Sequence, residues 1–189
     1  MGLGYIGLPT AIIAADNGIE VIGVDINPQV VETINKGQIH IVEPGLAALC
    51  SRVIGKGTLQ AQLTPAESDV YLMVGPTPFT GDHQPDISYV EAATRSVLPY
   101  LKAGDLYIIE STSPVGTTEK MASLIFSERP ELKDKLAIAY CPERVLPGNV
   151  IYELVHNDRV IGGINEASTD RAVAFYSQFV QGTLHRTNA

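Results

Sequence analysis

The segment GLGYIG places Gly2, Gly4 and Gly7 at the spacing of loops that bind the diphosphate of a dinucleotide. The first glycine permits a tight turn, the second lets the backbone approach the phosphates, and the third lets a helix pack closely on a sheet. A helix predicted over residues 5–17 directs its N-terminal amides toward that diphosphate. By itself, the motif also fits a glycine-rich turn with a purely structural role.

Asp25 favours the dinucleotide interpretation, because it ends a predicted strand over residues 20–25 and lies 18 residues after Gly7. A carboxylate at this place can accept hydrogen bonds from the ribose hydroxyls of adenosine. The same charge repels a 2′-phosphate, so the sequence predicts NAD rather than NADP as the cofactor. The alternative is a surface acid beside a structural turn.

Polar side chains also follow three predicted buried strands, in residues 74–79, 110–118 and 141–145. In open α/β sheets, ligands bind at the carboxyl ends of the strands. Pro76 and Thr77 lie at such an end, and a proline on each side of Thr77 stiffens the loop, so we expect both residues at the cofactor. A rigid structural loop is the alternative there, and in residues 110–118 the hydroxyls could serve only to cap a helix.

Glu143 lies in the third of these segments, where a carboxylate can orient or deprotonate water. A structural salt bridge with Arg144 is the alternative role. Cys141 ends a buried strand and precedes a proline, so we interpret it as structural rather than nucleophilic. The four histidines lack metal-ligand spacing, so no metal site is predicted, and His83 is expected to be a solvated loop residue rather than a cofactor contact.

The elements that must position these residues alternate short apolar runs with amphipathic stretches, which predicts an α/β fold. We expect a Rossmann-type, doubly wound, mostly parallel sheet with helices on both faces. The helices are predicted over residues 5–17, 28–36, 45–54, 88–102, 117–127 and 165–180, and the strands over 20–25, 70–74, 106–109, 136–140 and 160–161. The glycine motif begins at Gly2, so the first strand is expected to be missing and its two flanking strands to lack a ladder partner.

Composition sets the protein class. The 189 residues are enough for one domain, and 45% of them are hydrophobic. A net charge of −8 with scattered basic residues argues against nucleic-acid binding. No apolar run reaches the ~20 residues that cross a bilayer, so no membrane contact is predicted. Two cysteines and no recognisable secretory signal lead us to expect a reduced, cytoplasmic protein.

Five segments occur in one order along the chain: GLGYIGLPT, IHIVEPGL, VGPTPF, ESTSPVGTTEKM and YCPERVLPGN. In this series the chain resembles the N-terminal, NAD-binding domain of the UDP-glucose/GDP-mannose dehydrogenase family. The resemblance covers nearly the whole sequence. The segments IVEP, ESTSPVG and CPERVLPG are most similar to the branch that oxidises UDP-N-acetyl-D-mannosamine.

The resemblance implies a UDP-sugar substrate and an NAD-dependent oxidation of its C6 alcohol to a carboxylate, in two hydride transfers, for surface polysaccharide precursors. It implies an NAD-binding domain over residues 1–182, with residues 183–189 starting the connection to a central helix and a substrate domain. It also implies a homodimer for the full-length protein. The nucleophilic cysteine and the lysine of the mechanism would lie outside these 189 residues, so we expect no turnover from them alone.

The resemblance also implies roles for individual residues. The expected NAD contacts are Tyr5, Ile6, Asp25, Thr77 and Thr118. Thr112 would help to hold a catalytic water, Glu143 would be catalytic, and Arg144 and Val145 would contact the substrate.

Pro147 stands where the UDP-glucose branch carries a second glutamate, so a single-glutamate water site is expected and UDP-glucose is disfavoured. UDP-N-acetylglucosamine or UDP-glucose remain alternative substrates. An NAD-binding fragment without activity and an unrelated Rossmann enzyme, such as a β-hydroxyacid dehydrogenase, remain alternative functions.

Overall fold

The computed structural model describes residues 1–79, 81 and 85–189, so His83 lies outside the described residues. The helices are α1 Gly7–Asp16, α2 Pro28–Asn35, α3 Leu46–Lys56, α4 Ser88–Val97, α5 Thr117–Glu128, α6 Val150–His156 and α7 Glu166–Tyr176. The strands are β1 Val21–Val24, β2 Leu59–Gln62, β3 Val70–Met73, β4 Leu106–Ile109, β5 Ala137–Tyr140, β6 Arg159–Gly163 and β7 Leu184–Asn188. A short 3₁₀ helix covers Pro130–Leu132. The predicted α/β class with mostly parallel pairing is confirmed.

The chain divides into two compact units. The first consists of Met1–Pro65, Arg144–Asp158 and Ser177–Thr183. The second consists of Ala66–Glu143, Arg159–Tyr176 and Leu184–Ala189. Among the helices of the described ranges, none has both the length and the apolar character needed to cross a membrane.

The first unit contains a parallel pair of strands, in which β1 aligns with β2 from Val21 opposite Leu59 onward. The start of α2 is as predicted, because the Asn27 side chain accepts a hydrogen bond from the Gln29 amide at 3.0 Å and Pro28 occupies the first helical position. Strand β2 was not predicted. Its sequence, LQAQ, alternates over only four residues, and the ladder with β1 stabilises it.

The second unit contains a five-stranded sheet in the order β3-β4-β5-β6-β7, with one antiparallel pair, β5 with β6. All four residues of β4 are buried. Since successive side chains of a strand point to opposite faces, both faces of β4 are covered, as the doubly wound interpretation requires. On one face, the Tyr107 hydroxyl lies 2.6 Å from the Thr94 hydroxyl of α4.

Within the described residues, β1 has a strand partner on one side only, and so does β3. The unpaired side of β1 receives a backbone hydrogen bond from the Gly2 amide to the Val24 carbonyl at 2.8 Å. The start of the glycine motif therefore lies directly beside β1.

One local prediction, at the end of the chain, is wrong. Residues 184–188 were expected to lack an element, yet they form β7, parallel to β6. The sequence LHRTN is polar because this strand is largely exposed, and Gly162 permits its close approach: a Cβ there would lie 2.3 Å from the Asn188 carbonyl oxygen. The helix predicted from Ser88 does begin at that residue, and the Asp86 side chain accepts the Ser88 amide at 2.9 Å.

Candidate functional site

The glycine loop of the first unit has the backbone that its sequence demands. Gly2 has a φ of 91°, in the left-handed region that favours glycine. A Cβ on Gly4 would meet no atom within 4 Å, and Gly4 is exposed, so its backbone is open to a ligand. Gly7 is buried and begins α1. The loop thus fits a bound diphosphate at the point where the motif predicts one.

Asp25 is fixed beside this loop. Its Oδ2 accepts a hydrogen bond from the Leu3 amide at 2.9 Å, and its Oδ1 accepts one from the Asn27 amide at 2.9 Å. A carboxylate offers about four acceptor positions, so two hydrogen bonds leave capacity for ribose hydroxyls. Gly23, which the sequence analysis did not single out, allows this approach: a Cβ there would lie 2.8 Å from the Leu3 side chain.

Tyr5 follows Gly4 in the loop and binds a buried carboxylate that the sequence analysis also missed. Its hydroxyl donates a hydrogen bond to Oε2 of Glu43 at 2.7 Å. Glu43, only 6% exposed, also accepts the amides of Gly148 at 3.1 Å and Val150 at 2.8 Å. Burial raises the pKa of Glu43, but these hydrogen bonds outweigh burial and the net pKa is lowered. Ile6, next in the loop, is partly buried.

The segment that carries Arg144 and Val145 is held by α6. The Leu146 amide donates to Oε2 of Glu153 at 2.8 Å, and the Asn157 side chain donates to the Arg144 carbonyl at 3.3 Å. The Arg144 side chain is exposed and Val145 is half-buried. Both are thus available to a ligand, on a backbone that the first unit fixes.

In the second unit, three predicted residues follow the carboxyl ends of adjacent parallel strands. Thr112 lies three residues after Ile109 of β4, and Glu143 lies three residues after Tyr140, which pairs with Ile109 in the sheet. The Thr77 hydroxyl, after β3, donates to the Thr112 carbonyl at 2.5 Å. The unit therefore brings the three segments to one edge of its sheet, where ligands bind in this class of fold.

Two other predicted residues of the second unit differ in accessibility. Pro76 is exposed. Thr118 is only 4% exposed, in the first turn of α5, so little of its side chain is available to a ligand. The neighbouring Thr117 hydroxyl donates to the Pro114 carbonyl at 2.8 Å, which is the structural role that the sequence analysis left open for these hydroxyls.

A buried ion pair lies beneath this edge and was not predicted. The Arg159 guanidinium donates to Oε1 of Glu110 at 3.1 Å, with side chains 5% and 0% exposed. Arg159 also lies 5.0 Å from the centre of the Tyr176 ring. Burial raises the pKa of Glu110, and Arg159 offsets only part of that effect. The signal in the sequence was an acid directly after the apolar strand LYII and an arginine at the start of VIGG.

Cys141 is fully buried beside this pair, 3.9 Å from Arg159. Burial raises the pKa of its thiol to about 11, so it is a poor nucleophile at neutral pH, in agreement with its structural interpretation. Among the described residues, no group of His, Cys, Asp and Glu side chains could hold a metal ion.

A left-handed glycine loop with a fixed carboxylate beside it, in a mostly parallel α/β fold, defines the class of Rossmann-type dinucleotide-binding domains. The chain belongs to the UDP-glucose/GDP-mannose dehydrogenase family, because the sequence profile of the NAD-binding domain of that family matches residues 1–180. The predicted family and the predicted cofactor, NAD, are thereby confirmed.

Individual relatives agree with this assignment. The chain is 52% identical over 197 residues to UDP-N-acetyl-D-mannosamine dehydrogenase of Escherichia coli K12, covering 100% of this chain and 47% of that enzyme. It is 48% identical to NDP-N-acetyl-D-galactosaminuronic acid dehydrogenase of Ralstonia nicotianae, with the same coverage. The structure of the UDP-D-ManNAc dehydrogenase of Pyrococcus horikoshii superposes with a TM-score of 0.93 at 42% identity, over 100% of this chain and 46% of that one.

The chain therefore spans about half the length of these relatives. The family assignment argues against the alternative of a β-hydroxyacid dehydrogenase. Which residues contact NAD, water or sugar stays a prediction, as does the domain boundary at residue 182.

Proposed function

We propose that this chain binds NAD through its glycine loop and Asp25. The observation that carries the proposal is the hydrogen bond from the Leu3 amide to the Asp25 carboxylate, which holds the acid beside the turn at Gly2. The diphosphate would rest on the backbone of residues 2–7, and the adenosine ribose would donate to Asp25. NAD supplies a hydride acceptor when it is bound. Tyr5, Ile6, Pro76, Thr77 and Thr118 are the further proposed contacts.

The whole protein, on this proposal, oxidises the C6 alcohol of UDP-N-acetyl-D-mannosamine to the carboxylate at the expense of two NAD, and acts as a homodimer. The 52% identity to the Escherichia coli enzyme supports this substrate. The 48% identity to the Ralstonia enzyme favours a second candidate, another nucleotide-linked N-acetylhexosamine. For these 189 residues taken alone, the third candidate function is NAD binding without catalytic activity.

Glu143 and Thr112 are the proposed residues for the water that completes the second oxidation. Their placement after paired strands β4 and β5 supports a shared role at one sheet edge. Glu143 would orient the water or accept its proton, and Thr112 would help to hold it. Arg144 and Val145 would contact the sugar nucleotide from the segment that α6 fixes.

Titration calorimetry tests the cofactor proposal on the chain itself. We expect one NAD per chain, and binding of NADP weaker by at least about tenfold, because a 2′-phosphate would meet the Asp25 carboxylate. Equal affinity for the two cofactors, or no binding of either, would contradict the proposal.

An assay of NADH formation tests the substrate. The full-length protein that contains this chain should oxidise UDP-N-acetyl-D-mannosamine faster than the UDP-linked N-acetylglucosamine, N-acetylgalactosamine and glucose. A higher kcat/KM for one of the other three sugars would replace the proposed substrate. NADH formation by the 189 residues alone would contradict their proposed lack of turnover.

A further inference from the structure

We infer that Glu43 is a positioning residue that links the dinucleotide loop to the segment carrying Arg144 and Val145. The inference rests on the proposed function, because the proposed function assigns NAD to the loop that contains Tyr5 and the sugar nucleotide to the segment that contains Arg144. Glu43 itself follows neither a strand nor the glycine motif, and it touches neither proposed ligand. Its role would be exerted through the two backbone segments that it holds.

The geometry of the carboxylate carries the inference. One oxygen, Oε2, accepts both the Tyr5 hydroxyl at 2.7 Å and the Gly148 amide at 3.1 Å. The other, Oε1, accepts the Val150 amide at 2.8 Å. Three donors from two distant parts of the chain therefore converge on one side chain. All of these residues belong to the first unit.

The segment on the far side of Glu43 is shaped for this contact. Gly148 has a φ of 92°, a left-handed conformation that turns its amide toward the carboxylate and the Tyr5 hydroxyl, the latter at 3.3 Å. Glu153 of α6 holds the same segment from its other end, at the Leu146 amide. The segment with the exposed Arg144 is thus fixed at both ends, and the end at Gly148 also contacts the Tyr5 hydroxyl.

Electrostatics show why a carboxylate is needed here. Glutamine has one acceptor oxygen and one donor group, so it can satisfy either the Oε1 position or the Oε2 position. In either orientation its NH₂ group faces a backbone amide, donor against donor. The glutamate meets all three donors as an acceptor, and it remains charged at neutral pH because these donors lower its pKa.

The consequence is coupling between the two proposed ligand sites. A Tyr5 ring fixed by Glu43 holds the loop next to Gly4 in one conformation before NAD binds, and preorganisation of this kind raises affinity. NAD bound on that loop should in turn protect the amides of Gly148 and Val150. A buried acid that served only to stabilise the fold would not transmit this signal.

The test compares Glu43→Gln and Tyr5→Phe with Glu32→Gln, a control on an exposed glutamate of α2 that pairs with Lys36. Calorimetry of the chain should show NAD binding weakened about fivefold to tenfold by Glu43→Gln, about threefold by Tyr5→Phe and unchanged by Glu32→Gln, because the first leaves a buried amide without an acceptor. The double variant should be no weaker than Glu43→Gln alone. Hydrogen exchange should slow at the Gly148 and Val150 amides when NAD binds to the unmodified chain, and not in either single variant.

The outcomes separate the inference from the proposed function. If the unmodified chain does not bind NAD, the proposed function fails and the inference fails with it. If it binds NAD while Glu43→Gln and Tyr5→Phe bind equally well, with unchanged protection at Gly148 and Val150, only the inference is overturned. Should Glu43→Gln fail to fold, the protection of the Gly148 and Val150 amides in Tyr5→Phe at saturating NAD decides alone, because this variant keeps the carboxylate and both amide bonds and saturation removes the effect of a lost Tyr5 contact with NAD.

Discussion

Glu43 of the first unit and Glu110 of the second unit are both buried carboxylates, and they are held in different ways. Glu43 of the first unit accepts three neutral donors, a hydroxyl and two amides. Glu110 of the second unit is fully buried against a single guanidinium, and within the described residues its Oε2 has no hydrogen-bond partner. The pKa of Glu43 is lowered, whereas the pKa of Glu110 is raised.

The difference teaches that the ionisation of a buried acid depends on how far its partners offset desolvation, and Glu110 is the more completely buried of the two. Three hydrogen bonds overcome the burial of Glu43. One ion pair does not overcome the complete burial of Glu110. Glu110 should therefore depend strongly on its single partner, while the stabilisation of Glu43 is spread over several contacts.

The largest expected effect is the loss of the guanidinium in Arg159→Met. This variant leaves Glu110 buried without its ion pair and should lower the free energy of unfolding by about 3–5 kcal/mol. Urea denaturation monitored by circular dichroism measures it. The double variant Arg159→Met with Glu110→Met removes both charges and should recover most of the loss. If the double variant were no more stable than Arg159→Met, the cost would come from lost packing and not from an unpaired charge.

The next effect is on stability in Glu43→Gln. At pH 7 we expect a loss of about 1–3 kcal/mol, since one buried amide loses its acceptor. The folded-state pKa of Glu43 lies below its ordinary value of 4.5, so its contribution is fully present above that pH and is lost as pH falls through the folded value. Urea denaturation from pH 7 down to acid should therefore show the difference between unmodified chain and variant shrinking below about pH 4.5. A difference that grew toward acid would contradict the lowered pKa.

Asp25→Asn extends the comparison of Glu43 and Glu110 to a carboxylate that is partly exposed, and its effect is measured on cofactor binding. Asparagine retains one acceptor but loses the charge, so NAD binding should weaken about tenfold while the preference over NADP falls. Calorimetry with both cofactors measures the two effects together. An unchanged ratio of the two affinities would show that another group, and not Asp25, discriminates against the 2′-phosphate.

The smallest effect concerns the strand-end edge of the second unit. Thr77→Val keeps the side-chain shape and removes the hydrogen bond to the Thr112 carbonyl, which should cost about 0.5–1.5 kcal/mol of stability. Thr112→Val is the matched control. The acceptor is the backbone carbonyl of residue 112, so the hydrogen bond is retained in that variant. Equal losses in the two variants would contradict a specific contribution of this hydrogen bond to stability.

Much of the fold could be predicted from the sequence where apolar runs and capping residues coincide. The strand LYII was predicted with its observed bounds, and α2 was predicted to begin at Pro28, its observed first residue. Strands β2 and β7 were not predicted, because they depend on hydrogen bonds to a neighbouring strand rather than on burial. A polar sequence such as LHRTN has little of the apolar pattern that indicates a strand. Helix α6, with only seven residues, was missed for a similar reason.

The candidate site divides in the same way. Gly2, Gly4 and Asp25 could be predicted because their chemistry depends on local conformation and short spacing. Glu43 and Arg159 could not, because Val150 lies 107 residues from Glu43 along the chain and Glu110 lies 49 residues from Arg159. The amide of Val150 meets Glu43 only in the folded chain, and the periodicity of the sequence does not indicate such a contact.

A crystal structure of this chain grown with NAD tests the central claim most directly. We expect the diphosphate against the backbone of residues 2–7 and a ribose hydroxyl of adenosine about 2.6–3.0 Å from an Asp25 carboxylate oxygen. A dinucleotide bound elsewhere, or an Asp25 that still contacts only the Leu3 and Asn27 amides, would contradict the claim.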